Sequence, residues 1–152
     1  MQLRFKKLHP EAKIPYYATS GSAGMDVCTV EPIAIGWGQV VVVNTGLAVE
    51  IPEGYELQVR PRSGSAMRRG LTVVNSPGTI DEDFRGPIKV ILTVVRSPEE
   101  LALDGMEHPL HLDAGERIAQ LVLKKVERLP IVEVTELSET ERGEGGLGST
   151  GR

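Results

Sequence analysis

The chain has one cysteine, six aromatic residues in 152, no excess of positive charge and no long apolar run. Each scarcity excludes a class of protein. A single thiol, Cys28, cannot close an internal disulfide or anchor a Cys-rich metal site, so a reducing, cytoplasmic location is expected. With only Phe5, Tyr16, Tyr17, Trp37, Tyr55 and Phe84 to supply rings, the core has to be built from Val, Ile and Leu. Seventeen Lys and Arg against twenty-one Asp and Glu leave a net charge of −4. That offers no basic field for non-specific nucleic-acid binding. An anionic ligand would have to be met by a few placed arginines and backbone N–H groups. No stretch approaches the ~20 apolar residues of a membrane span. The opening MQLRFKKLHPEAKIP has basic residues with no apolar stretch behind them, unlike a secretory leader.

What the chain does have is punctuation. Seventeen glycines and ten prolines favour many short strands over long helices, and 152 residues make most simply one domain. Leu3–Leu8 alternates apolar and basic side chains and reads as a first strand. Pro10–Pro15 is a loop, and Ser20–Gly24 is a small-residue run leading into the strand Met25-Asp26-Val27-Cys28. Pro32–Gly38 turns, and Val40–Asn44 and Leu47–Ile51 are strands on either side of Thr45-Gly46. Pro52-Glu53-Gly54 is a compact turn before the strand Tyr55–Val59. One helical turn or slightly more is expected at Ser65–Arg69, and another helical piece inside the polar loop Ser97–Pro109. Ile118–Val126 fits a strand or a helix equally by periodicity, and its strand-rich surroundings favour a strand. Ile131–Leu137 alternates and is expected to be the last strand. The sum is about nine or ten short strands in residues 1–137, an all-β barrel or jelly-roll-like sandwich with one main helical turn. Residues 138–152 are expected to form a mobile Gly-rich tail.

The candidate chemistry centres on Leu71–Val95. Two β-branched runs, Leu71–Val74 and Ile88–Val95, flank a polar segment containing Pro77, Gly78, Gly86 and Pro87, with Asp81-Glu82-Asp83 at its tip. This reads as a hairpin-like arm holding three carboxylates, or as a solvated acidic turn. Arg62-Ser63-Gly64 follows a strand and opens a short helix. Free N–H groups and a bidentate guanidinium suit phosphate oxygens, although Ser63 could equally be an ordinary N-cap. Gly143, Gly145 and Gly148 match G-x-G-x-x-G formally, but only four residues follow, so no helix can complete a dinucleotide site. Ser149 stands where a Walker A lysine is required. What is left is a segment that can wrap an anion with successive N–H groups, or a solvated end. His9, His108 and His111 form no evident metal cluster.

Taken in order, five blocks resemble the trimeric dUTPase family. They are Ala23-Gly24-Met25-Asp26, Pro61 through Ala66, Asn75 through Gly86, Gly115 through Leu121, and Arg142 through Gly151. The resemblance implies a distorted β-barrel or jelly-roll-like fold that hydrolyses dUTP to dUMP and pyrophosphate. This would limit uracil incorporation into DNA and supply dUMP for thymidylate synthesis. It also implies a homotrimer with active sites shared between subunits, and Mg2+ held through the triphosphate and water with no direct protein ligand. Asp81 would activate the attacking water, with Asp26 in support and Arg142 stabilising charge like an arginine finger. Arg62, Ser63, Gly64 and Gln120 would hold phosphates. Asn75 and the backbone of Thr79 and Ile80 would read uracil, Phe84 would lie beneath the sugar, and Lys89 would line the pocket. The tail would close over the nucleotide from a neighbouring subunit, placing Leu147 on the base and Gly148, Ser149 and Thr150 around the γ-phosphate. Glu82 and Asp83 are expected to be turn and solvent residues.

Three departures from the family pattern stand out. Phe84 replaces a Tyr, and its ring still excludes a 2′-hydroxyl. Leu147 replaces a Phe, so a weaker lid is expected, by about 1–3 kcal/mol of lost stacking. The Ser97–His111 loop is longer, with no expected effect on the chemistry. The rival activities are a dCTP deaminase or a bifunctional deaminase–diphosphatase on the same fold, betrayed by ammonia release, and a non-catalytic β-sandwich that would release no pyrophosphate from dUTP.

Overall fold

The structure is a computed structural model and describes residues 1–146. The chain opens with β1 (Arg4–Lys7), β2 (Tyr16–Tyr17), β3 (Met25–Cys28), β4 (Ile33–Ile35), β5 (Val41–Asn44), β6 (Leu47–Glu50) and β7 (Tyr55–Arg60). After helix α1 (Ser63–Arg69) come β8 (Leu71–Val73), β9 (Gly78–Ile80) and β10 (Lys89–Val94). Helix α2 (Pro98–Leu103), β11 (Leu110–Leu112) and β12 (Arg117–Lys125) complete the described elements. The strands form a five-stranded sheet in the order β2-β3-β12-β7-β9, a three-stranded sheet β5-β10-β8, and the pairs β1-β6 and β11-β4.

These sheets enclose one aliphatic core. Val27, Ile35, Val43, Leu47, Leu57, Leu92, Ile118 and Leu121 are fully buried, and none of the six aromatic residues belongs to that buried set. The alternation that makes strands of β7 and β10 also fixes which face is covered, since every second residue turns inward. No helix is long and apolar enough to cross a membrane, among the described residues.

Most of the expected elements are present, and four differ. The structure has twelve strands, where about nine or ten were expected. β2 has two residues, and β4, β9 and β11 have three each, too short to carry a period. Helix α1 starts at Ser63 rather than Ser65. Arg62 takes the N-cap position in extended conformation, its carbonyl accepting from Ala66 N at 2.9 Å, so Ser63 is the first helical residue. The left-handed Gly70 (φ 63°) ends the helix. The arm of Leu71–Val95 is not a simple hairpin. β8 and β10 do pair, with Leu92 opposite Val73, but the segment between them crosses to the larger sheet, where β9 pairs with β7. Finally, Ile131–Leu137 is not a strand. The last ladder ends at Lys125, and Ile131, Val132 and Leu137 are exposed. Its alternating pattern finds no partner strand within the described chain.

Candidate active site

Two groups of the expected residues assemble, at separate places. The first lies on the five-stranded sheet. The register sets Asp26 on β3 opposite Gln120 on β12, and Gln120 opposite Arg60 on β7, just before Arg62. Asp26 accepts from Arg62 Nε at 2.7 Å through one carboxylate oxygen and from Arg117 Nη1 at 3.0 Å through the other. Its side chain is only 16% exposed, so both arginines are held by one half-enclosed carboxylate. Two guanidinium charges against one carboxylate leave the group net positive.

Gln120 Nε2 donates to the Pro61 carbonyl at 2.9 Å, tying β12 to the turn that starts α1. Gly24 is needed for that contact. A Cβ there would sit 2.2 Å from Gln120 Oε1. The first bond of the α1 ladder runs from Ala66 N to Arg62 O. The N–H groups of Ser63, Gly64 and Ser65 therefore precede the ladder and can meet an anion.

Arg117 was not among the residues the sequence singled out. A bulge between Arg117 and Ala119 inserts one residue into β12, which flips the parity and brings Arg117 to the same face as Gln120. Simple alternation would have placed it on the opposite side. Cys28, two residues beyond Asp26, is half-buried. Burial pushes its thiol above the ordinary value, which suits a protonated, unreactive side chain.

The second group surrounds a cavity of about 290 Å³ lined by Thr79, Ile80, Asp81, Phe84, Pro87, Ile88 and Lys89. Five of these were expected, and Pro87 and Ile88 add an apolar wall. β9 holds Thr79 and Ile80 by its ladder to β7, with Thr79 opposite Gln58 and Ile80 opposite Leu57. Asp81 is the first residue past that ladder. It is exposed, and its carbonyl accepts from Phe84 N at 3.2 Å to close a tight turn. The Phe84 ring lies against Gly86, where a Cβ would come within 2.6 Å of it. Asn75 stands beside this pocket, its side-chain nitrogen 3.2 Å from the position of a Cβ on Gly78.

Glu82 is not a solvent residue. Its carboxylate accepts from the Gly54 N–H and, at 3.1 Å, from Arg128 Nη1. The Gly54 N–H is the main cause that holds its pKa below the ordinary glutamate value, with Arg128 adding to it. Nothing in the sequence pairs these residues, which lie 28 and 46 positions from Glu82.

The structure does not bring the remaining residues in. Arg142 is exposed in a tail turn, donating to Gly145 O at 2.7 Å. Leu147, Gly148, Ser149 and Thr150 lie outside the described residues. The two groups are also far apart in one chain. Asp26 stands three strands from β9, and its rung meets β7 at Arg60, whereas Asp81 extends β9 to the level of Glu56. At about 4.8 Å per strand and 3.3 Å per residue, the separation is about 20 Å.

Comparison with known proteins identifies the family. A sequence model of the dUTPase family matches residues 10–151. The chain is 49% identical to the deoxyuridine 5'-triphosphate nucleotidohydrolase of Hydrogenobaculum sp. (strain Y04AAS1), with 99% of each chain covered. It is 47% identical to the protein of the same name from Nautilia profundicola, over 100% of both. Among solved structures, the Staphylococcus bacteriophage 80alpha dUTPase with dUpNHpp matches it with a TM-score of 0.86 at 27% identity, with 99% of each chain covered. With the family model spanning nearly its whole length, full-length relatives at 47–49% identity and its β-rich fold matched, the chain belongs to the dUTPase family.

Proposed function

We propose that this chain, a dUTP diphosphatase by family, hydrolyses dUTP to dUMP and pyrophosphate at sites shared between the subunits of a homotrimer. The observation that supports the shared site is the sheet order and register, which put Asp81 three strands across and four residues along from Asp26, about 20 Å at ordinary strand spacings. A general base must lie within hydrogen-bond reach, or one water, of the proton it removes. Asp81 therefore cannot serve phosphates held by Arg62 of its own chain. In this reading a second copy supplies one of the two groups. Exposed apolar surface supports the same reading. Val132 and Val134 lie two apart on one side of a segment that has no partner strand in the described chain, with Ile131 and Leu137 also exposed, as in a strand made for a neighbouring sheet.

In this reading uracil enters the 290 Å³ cavity. The Thr79 and Ile80 backbone, fixed by the β9 ladder, reads the base edge together with Asn75. Phe84 lies beneath the deoxyribose, and Lys89 closes one side. From the neighbouring subunit, Arg62 and the N–H groups of Ser63 and Gly64 hold phosphate oxygens, with Gln120 beside them. Asp26 holds Arg62 and Arg117 in place. The Asp81 carboxylate takes a proton from a water that attacks the α-phosphorus in line, and pyrophosphate leaves. Arg142 arrives with the tail and stabilises charge developing on the phosphates, while Leu147, Gly148, Ser149 and Thr150 close the site.

Mg2+ would be held through the triphosphate and water, as suits a hard ion that retains several waters. Both Asp26 oxygens are already engaged by arginines, and no His, Cys, Asp or Glu cluster among the described residues offers a cage. When bound, the ion offsets negative charge on the phosphates. A cytoplasmic location completes the reading, on the free thiol of Cys28.

Asp81→Asn tests the assignment. It should retain dUpNHpp binding and lose turnover in a pyrophosphate-release assay with dUTP and Mg2+. Near-normal kcat would remove Asp81 as the base. The same assay run on dTTP, UTP and dCTP, with ammonia release followed for dCTP, separates the diphosphatase from a deaminase.

A further inference from the structure

The loop that carries Asp81 is held in an uneven way. Up to Ile80 the chain is fixed by main-chain pairing of β9 with β7. From Ile88 onward it is fixed again, Ile88 N donating to Leu47 O at 2.7 Å. Between them, Phe84 N bonds Asp81 O, and Arg85 Nη1 donates to the carbonyls of Glu82 and Phe84. Those bonds are internal to the loop. They shape it but do not place it. Among the described residues, the bonds that tie residues 81–87 to another part of the chain are those of the Glu82 carboxylate, to Gly54 N–H and to Arg128. Gly54 is itself anchored, its carbonyl accepting from Val126 N at 2.9 Å where β12 has just ended.

We infer that Glu82 is a positioning residue for Asp81. Its carboxylate, gripped by the Gly54 N–H and Arg128, sets where the neighbouring Asp81 carboxylate lies relative to the substrate. The inference rests on Asp81 being the base. It separates two functions of one loop, because the uracil-reading backbone at Thr79 and Ile80 is held by the β9 ladder and does not need the tether. Asp81, one residue past the ladder, does. Loosening the tether should therefore cost turnover and spare binding. The low pKa of Glu82, set mainly by the Gly54 N–H, supports this, since the grip depends on the ionised form. Arg128 lies three residues past the end of β12, so the tether also ties the base loop to the segment that leads from β12 towards the tail.

The experiment measures kcat and KM for dUTP with Mg2+ in the wild type, Glu82→Ala, Glu82→Gln, Arg128→Ala and Asp81→Asn. Active sites are titrated with dUpNHpp so that rates refer to folded sites. Glu82→Ala should lower kcat by about tenfold to a hundredfold, the scale of an ångström-level misplacement, with KM and dUpNHpp affinity within about twofold. Glu82→Gln keeps an acceptor for Gly54 but loses the ion pair, and Arg128→Ala loses the same pair from the other side. Both should show a smaller fall in kcat with KM again unmoved.

An unchanged kcat per active site in Glu82→Ala, or a loss confined to KM, overturns the inference. If Glu82→Ala does not fold, unchanged kcat in both Glu82→Gln and Arg128→Ala overturns it equally. Asp81→Asn keeps the two failures apart. A nearly full rate in Asp81→Asn defeats the base assignment itself. An inactive Asp81→Asn beside a fully active Glu82→Ala defeats only the positioning role.

Discussion

Replacing Gly24 by alanine makes a sharp test of the phosphate group, because its effects on stability and on binding should part company. The new Cβ would lie 2.2 Å from Gln120 Oε1, 3.1 Å from Cδ and 3.3 Å from Cβ. Gln120 Cβ cannot retreat, since β12 is paired on both sides at this rung, to Asp26 and to Arg60. The carboxamide must swing away and release the Pro61 carbonyl, now 2.9 Å from Nε2. That lost bond costs about 1 kcal/mol of stability. Gly24 is not in the left-handed region, so alanine gains back about 0.4–1 kcal/mol from a less free unfolded chain. Net stability should be nearly unchanged, a Tm shift of no more than about 2–4 °C for a chain of this size.

Binding has no such offset. A carboxamide bond to a phosphate oxygen is a bond to a charged group, worth about 1.5–3 kcal/mol, or about tenfold to a hundredfold in affinity. The assay is KM for dUTP with dUpNHpp affinity alongside a thermal melt. Unchanged KM and analogue affinity with an unchanged melt would refute the placement of Gln120 at the phosphates.

Two further outcomes follow from the same geometry. Phe84→Ala removes the ring that covers the sugar position, so the kcat/KM ratio of UTP to dUTP should rise by about tenfold or more, the discrimination a packed apolar contact provides; an unchanged ratio would mean that the sugar is selected elsewhere. Glu82 has a lowered folded pKa, so it contributes stability above the ordinary glutamate value that is lost as the pH falls through the folded one. The Tm gap between wild type and Glu82→Gln should thus be widest at neutral pH and narrow as the pH falls below the ordinary glutamate range, and a gap that widens on acidification would contradict the tether.

How far the sequence foretold this molecule depends on the range of each interaction. β7 and β10 were legible because each is long enough to repeat its pattern, whereas β12 had no decisive period and was assigned from the strands around it. The core was legible because so few aromatics leave only aliphatics to fill it. Helix α2 was expected as a helical piece within the Ser97–Pro109 loop, and the reciprocal bonds of Ser97 and Glu100 that cap it came to light in the structure. β9 was not legible, since Gly78-Thr79-Ile80 has no period, and its pairing with β7 depends on residues about twenty positions away. Arg117 was hidden by a bulge and Glu82 by a partner on a distant turn. Ile131–Leu137 shows the opposite case: the strand-like alternation is real, but a single described chain contains no edge for it. Asp81, Arg62 and Asp26 were singled out because their local runs, ambiguous one by one, match the family's blocks in order. Their separation into two groups is a property of the sheet and of no single run.

Mixing inactive variants tests the shared site most directly. Asp81→Asn lacks the base and Arg62→Ala lacks the phosphate clamp, so each should be inactive alone. Unfolded together in equal amounts and refolded, they form mixed assemblies in which a site can draw Asp81 from one chain and Arg62 from another. For random mixing in a cyclic trimer, roughly a quarter of sites receive both intact residues, and pyrophosphate release should recover to about that fraction of the wild-type rate. If the mixed assemblies form and remain as inactive as the parents, both residues act within one chain, and the shared site is wrong.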